Sequence, residues 1–234
     1  MRWIQKSNEP RPLVEWRNRY RNDVNFGYSL MRGDHEVVNA INHSLLMEQG
    51  SICAYTGRRI RQGSFHIEHL KAQAHCQRGE DVDYRNIVAC FPGPNHPEEL
   101  EYGARKKGDW PSPDEWHLFL SPLERSCEAR LSFNLKGEIQ AGDTDEAAQQ
   151  TIQRLGLDHP ELTALRREAI RGAIEVGSHS KLRLPEARKR LRMLEQASGN
   201  ELEPFCFVLI HALKKHIRRL EYIIESQKEA HDNV

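Results

Sequence analysis

A change of texture divides this chain. Between residues 51 and 110 the apolar runs are short, and seven glycines and prolines fall between Gly93 and Pro113. Such residues punctuate turns and end helices, so this stretch reads as strands and loops. Downstream, apolar residues recur at helical spacing behind capping residues and prolines. The expected fold is therefore α+β and predominantly helical. Three segments follow: an N-terminal arm and helix (1–50), a small strand-and-loop core (51–110) and a C-terminal helical region (111–234). A chain of 234 residues can bury one substantial core, or a small core with helical extensions.

Lys+Arg and Asp+Glu each total 34, for a formal net charge of zero. That balance excludes a uniformly cationic coat for nucleic acid, but the charges are sorted along the chain. Residues 1–22 hold six basic side chains against two acids, and residues 181–219 hold ten against four. The longest apolar stretch, Phe205 to Ile210, is too short to cross a bilayer, so no membrane partner is expected. The start, with charges and Pro10 in place of an apolar run, reads as cytoplasmic. Five irregularly spaced cysteines, Cys53, Cys76, Cys90, Cys127 and Cys206, argue for a reducing compartment rather than a disulfide framework.

The first thirty residues lack clear periodicity and read as an arm that packs against something else. Asp34 caps an expected helix to Gly50, with Val37, Val38, Ile41, Leu45 and Leu46 on one face. Ile52 to Ile60 reads as a short hairpin turning at Thr56-Gly57, and Ser64 to Leu70 alternates as a strand. Tyr84 to Cys90 reads as the start of a helix behind the acids Asp81–Asp83. Four further helices are expected, opened by Thr144, by His159-Pro160, by Pro185 and by Pro204.

The chemistry concentrates in His66-Ile67-Glu68-His69, followed by Asn86 and Asn95-His96. On a regular strand His66 and Glu68 share a face and His69 points away, so a kink is needed to bring the three together. A histidine near neutral pKa can deprotonate a water, and a carboxylate with an amide oxygen can hold a hard cation. Oxygen ligands favour Mg²⁺ or Mn²⁺ over zinc. This set suits phosphodiester hydrolysis.

The same residues resemble the HNH or ββα-metal nucleases. Cys53-Ala54-Tyr55-Thr56, the string from Phe65 to Ala72, Tyr84 to Cys90, Asn95, Lys107-Gly108-Asp109, Ser121-Pro122-Leu123, Gly137-Glu138-Ile139 and Thr151 to Leu157 are similar to the HNH nuclease subunit of Septu and retron-associated anti-phage systems. The resemblance spans roughly residues 50–175. It implies His69 as general base, Glu68 as a metal ligand, Asn86 as the residue orienting the base and its loop, Asn95 as the second metal ligand and His66 as support. An insertion around Pro94 leaves His96 as the alternative to Asn95, which is preferred because family members place Asn there.

The resemblance also implies cleavage of DNA or RNA to 5′-phosphate and 3′-hydroxyl ends. Its implied partners are an ABC/SMC-like ATPase and, in retron systems, a reverse transcriptase with its RNA–DNA hybrid. No G-x-x-x-x-G-K-[ST] occurs, so ATP dependence is expected from a partner. The arm at 1–30 and the C-terminal helices are the candidates for docking it. Two of the four knuckle cysteines that hold structural zinc in many such nucleases are replaced here, by Thr56 and within Cys90-Phe91-Pro92-Gly93, so a structural zinc is not expected. Arg58, Arg59 and Arg61, in the turn before the His strand, either grip flanking phosphates or solvate the turn, and Lys71 is placed to reach the same phosphate. A catalytically inactive adaptor on the same fold is the alternative.

Overall fold

A computed structural model of the chain describes residues 1–97, 99–176, 180–197 and 201–232. The fold is α+β, about half helical, with small antiparallel sheets. No helix among the described residues is long and apolar enough to cross a membrane.

The first thirty residues pack on this chain itself. Met1 and Ile4 are buried, and the Ile4 amide donates to the Pro122 carbonyl at 2.8 Å. Helix α1 (Arg11–Tyr20) opens on Pro10 and Pro12, where a missing N–H costs little, and buries Leu13 and Trp16. A single turn, α2 (Tyr28–Met31), precedes α3 (His35–Glu48). Helix α3 forms as its sequence dictates: the Asp34 side chain accepts from the Val37 amide at 3.3 Å, and Val37, Ile41 and Leu45 bury one stripe.

Ile52 to Ile60 makes a tight loop closed by one antiparallel bridge, Ile52 to Arg59. Gly57 sits in it at φ +75°, and a Cβ there would lie 2.6 Å from Cε1 of Phe207, so backbone conformation and packing both demand glycine. Strand β1 (His66–His69) pairs antiparallel with β2 (Ile87–Cys90), His66 opposite Cys90 and His69 opposite Ile87. The helix expected from Tyr84 is instead one 3₁₀ turn (Tyr84–Asn86) leading into β2. Asp83 does cap that turn, accepting from the Arg85 amide at 2.8 Å. The apolar run after it is a strand buried throughout, and such a run has no alternation to betray it. Gln49 fixes β2 from its other side. Its amide accepts from the Ala89 N–H at 2.7 Å and donates to the Ala89 carbonyl at 2.9 Å, standing in for a neighbouring strand.

After β2 the chain loops to a one-turn helix α4 (Ala104–Lys107). A second hairpin, β3 (Leu131–Phe133) with β4 (Ile139–Ala141), lies within the mostly helical C-terminal region, before the helix expected from Thr144. Its turn is tied to α6 (Pro160–Ile174) by Arg166, a buried guanidinium that donates to the carbonyls of Gly137 at 2.7 Å and Leu157 at 2.8 Å. Helix α5 (Glu146–Arg154) is capped by Asp145 rather than Thr144, the carboxylate accepting from Ala148 N–H at 3.0 Å. A two-residue pair, β5 (Glu175–Val176) with β6 (Ser180–Lys181), joins α6 to α7 (Leu184–Gln196), and α8 (Cys206–Asp232) packs on both α6 and α7. Buried residues from Met1 to Ile217 form one apolar cluster, so all three expected segments share a core.

Candidate active site

The β1–β2 hairpin presents the histidines and the carboxylate. The register of β1 runs without interruption, so the expected kink is absent. Alternation puts His66 and Glu68 on one face, with Nε2 of His66 3.5 Å from Oε2 of Glu68. The other His66 nitrogen, Nδ1, donates to the Pro92 carbonyl at 2.5 Å. That bond fixes the ring and leaves Nε2 facing the carboxylate, the arrangement by which backbone carbonyls orient metal-binding imidazoles. Burial alone would lower the His66 pKa, but the Glu68 and Pro92 bonds outweigh it and hold the value above the usual imidazole range.

Lys107 completes this cluster from α4. It is 3% exposed, and its ammonium lies 3.0 Å from Oε1 of Glu68 while donating to the His69 carbonyl at 2.9 Å. The Tyr55 hydroxyl is buried beside Glu68. Burial, with the field of Glu68, pushes its pKa well up.

His69 is 4% exposed and turned elsewhere. Its Nε2 donates to the Asp81 carbonyl at 2.8 Å, and Tyr28 packs edge-on against its ring at 4.6 Å between centroids. Burial lowers its pKa, so the ring is neutral at pH 7 with Nδ1 as its basic nitrogen. Among the described residues no hydrogen bond or ion pair joins the His69 ring to Glu68 or His66. Asp81 positions both neighbours, because its carboxylate also accepts from the Tyr28 amide at 2.7 Å.

Asn86 holds the loop between the strands. Its Oδ1 accepts from the Lys71 amide at 2.8 Å, while Nδ2 donates to the carbonyls of Lys71 at 3.2 Å and Glu80 at 3.1 Å. Both ends of the loop that carries Asp81 are thereby clamped. Lys71 itself is ion-paired with Glu80.

Three other expected residues, Asn95, Arg58 and Arg59, make no hydrogen bond or ion pair with Glu68 or His66 among the described residues. Asn95 is exposed in the loop after β2, and the group facing the carboxylate is His66. His96 instead packs edge-on against Phe91 at 5.1 Å. Arg58 stacks on Phe91, bonds the Tyr102 hydroxyl and pairs with Glu161 at 3.0 Å, and Arg59 donates to the carbonyls of Leu202 and Ser51. Both arginines are occupied by internal ties that span over a hundred residues of sequence.

Two further cations, Arg32 just after α2 and Arg105 on α4, lie beside His66. With Tyr28, Asn42, Phe65, His66, Gln73 and Pro94 they line a cleft of about 440 Å³. No local pattern marks Arg32, and nothing in the Lys107-Gly108-Asp109 string points to a partner in Glu68.

Cys53 and Cys90 come together at the end of β2. Cys53 and Cys90 are both buried, and the Phe91 amide donates to the Cys53 sulfur at 3.3 Å. Burial raises the Cys53 pKa, but hydrogen bonds from Cys90, Thr56 and Phe91 outweigh it and bring the thiol down to about 5. No cluster of three or more His, Cys, Asp or Glu side chains with metal-binding geometry occurs among the described residues.

Glu68 and His66 nevertheless fit a single hard cation that keeps water or phosphate oxygens as its remaining ligands. The Glu68 carboxylate and Nε2 of His66, once that nitrogen gives up its proton, would supply two donors 3.5 Å apart, and the Pro92 carbonyl holds the ring through its other nitrogen. Neither a protein-family model nor a curated protein matches the sequence.

Proposed function

We propose that this chain is a metal-dependent HNH-type endonuclease that hydrolyses phosphodiester bonds of nucleic acid. The observation that carries this reading is the His66–Glu68 pair on a two-stranded hairpin, beside a cleft edged by Arg32 and Arg105. The element order β1, β2, α4 supports it, as does the Asn86 clamp on the intervening loop.

In this reading Glu68 and His66 hold the cation, Mg²⁺ or Mn²⁺, which when bound supplies charge neutralisation at the phosphate and the leaving oxygen. Arg32 and Arg105 position the flanking phosphates in place of Arg58 and Arg59. His69, neutral and held through Nε2, accepts the proton of the attacking water at Nδ1. Asn86 and Asp81 keep that ring and its loop in place. An ABC/SMC-like ATPase as partner, in an anti-phage complex, belongs to the same proposal and rests on the sequence resemblance.

One observation favours a second reading, a catalytically inactive adaptor on this fold: Glu68 is already neutralised by Lys107, and His69 is almost closed off. The two readings separate in a cleavage assay on labelled DNA and RNA, with the chain alone and with a co-expressed ATPase of that type. The nuclease predicts cleavage in Mg²⁺ that stops with EDTA and in both Glu68→Gln and His69→Ala. Absence of cleavage in every condition supports the adaptor, and cleavage surviving both substitutions refutes the assigned site.

A further inference from the structure

A second concavity shares no residue with the cleft beside His66. It is a groove of about 390 Å³ between the β3–β4 turn, α6, the β5–β6 pair and α8. Its floor is aliphatic, built from Leu135, Ile170 and Ile174. Leu135 is 39% exposed, an apolar side chain at the tip of a turn where a polar one would cost nothing.

Its rim is cationic. Lys136, Arg167, Arg171, Lys181, Lys215 and Arg219 line the groove against a single carboxylate, Glu175. Arg171 is engaged by Glu168 and Glu175, and Arg167 lies 3.9 Å from Glu168. Lys136, Lys181, Lys215 and Arg219 make no ion pair among the described residues. The excess of positive charge is felt locally: His211, on the same helix as Lys215, is lowered first by burial and then by Lys215, Arg218 and Lys214. Elsewhere on the helical region Arg188 pairs with Glu221 and Arg190 with Glu203, while Lys189 and Arg192 make no ion pair among the described residues. What distinguishes the groove is that four such cations surround an aliphatic floor.

We propose that this groove docks an acidic segment of a partner protein that carries an apolar anchor between its carboxylates. Charge complementarity sets the sign of the partner, and the floor sets the anchor. Single-stranded nucleic acid is the other polyanion to consider, but its bases stack on aromatic platforms. Among the described residues the one ring lining the groove is His216, which is buried and held through Nε2 to the Leu182 carbonyl at 2.9 Å. An aliphatic floor receives a leucine or phenylalanine side chain rather than a stacked base. The proposal does not depend on the chain being a nuclease.

The test is fluorescence anisotropy on the full chain with a labelled short peptide, a central Leu-Phe pair flanked on both sides by Asp and Glu. Two comparison peptides replace Leu-Phe by Ser-Ser or the acids by their amides, and a labelled oligothymidylate of equal charge is the third comparison. The acidic Leu-Phe peptide binds, and both comparison peptides bind at least tenfold more weakly. Leu135→Glu and Lys215→Glu each weaken it at least tenfold, whereas Lys189→Glu, on α7 and outside the groove, leaves it unchanged. Lys215 is exposed, so its reversal reads binding even if Leu135→Glu lowers the melting temperature. Oligothymidylate binding more tightly than the peptide would make this a nucleic-acid surface and overturn the proposal. Peptide binding that is absent, or indifferent to both groove substitutions, overturns it equally.

Discussion

Lys107→Met removes an ammonium and keeps most of the side chain's volume. The side chain is 1% exposed, pairs with Glu68 at 3.0 Å and donates to the His69 carbonyl at 2.9 Å. Breaking a buried pair from one side costs about 3–5 kcal/mol, because the surviving charge is left uncompensated. Glu68 keeps its contact to His66 and is 14% exposed on its side chain, which places the expected loss at the lower end, about 3 kcal/mol. For a domain of this size that corresponds to a fall in Tm of about 6–12 °C. Urea unfolding of wild type, Lys107→Met, Glu68→Gln and the double variant measures it. The double variant should lose less than the sum of the singles by about 1–3 kcal/mol, since either change alone strands the other partner. A loss below about 0.5 kcal/mol in Lys107→Met, the range of an ordinary surface substitution, would refute the idea that this lysine holds α4 against β1.

Other expectations follow from the same contacts. Asn86→Ala removes four bonds to the loop between β1 and β2, one of them to the Cys76 sulfur; it should destabilise the fold by about 2–4 kcal/mol and speed hydrogen exchange at the Lys71 amide, whereas a purely solvent-facing Asn86 would leave that amide protected. Gly57→Ala forces a Cβ into a φ +75° position 2.6 Å from Phe207, so urea titration should show a loss of about 2 kcal/mol or more, and a neutral result would mean that the loop and α8 shift freely. Arg32→Ala and Arg105→Ala should each raise KM for a nucleic-acid substrate with little change in Tm. Arg58→Ala and Arg59→Ala should do the reverse, and the opposite split would return the phosphate role to the turn before β1.

What the sequence made legible was the local part of this fold. Helix α3 carries its own cap and stripe within fifteen residues, and β1 alternates plainly, so both could be read from spacing. Strand β2 carries no such signal, because all four of its residues are buried and the acid before them caps only a 3₁₀ turn. The β3–β4 hairpin carries none either, because each strand is only three residues long, too short for a period to register.

The site divides in the same way. His66, Glu68, His69 and Asn86 stood out because they sit together in sequence or in a recognisable string. Lys107, Asp81, Tyr28 and Arg32 reach the site through tertiary contacts separated by tens of residues, which no local pattern encodes. Arg58 and Arg59 looked free for phosphate for the same reason: their partners, Glu161 and the Leu202 carbonyl, lie far along the chain. Asn95 stands out only by its place in a motif, and it is exposed with no hydrogen bond to Glu68 among the described residues.

The central claim is that Glu68 and His66 together hold one hard cation. Mn²⁺ binding followed by electron paramagnetic resonance on the isolated chain tests it without requiring a partner or a substrate. The account predicts one bound Mn²⁺ per chain, competed by Mg²⁺, lost in Glu68→Gln and weakened in His66→Ala, with Asn95→Ala unchanged. Binding absent from the wild type, or untouched by Glu68→Gln, would contradict it.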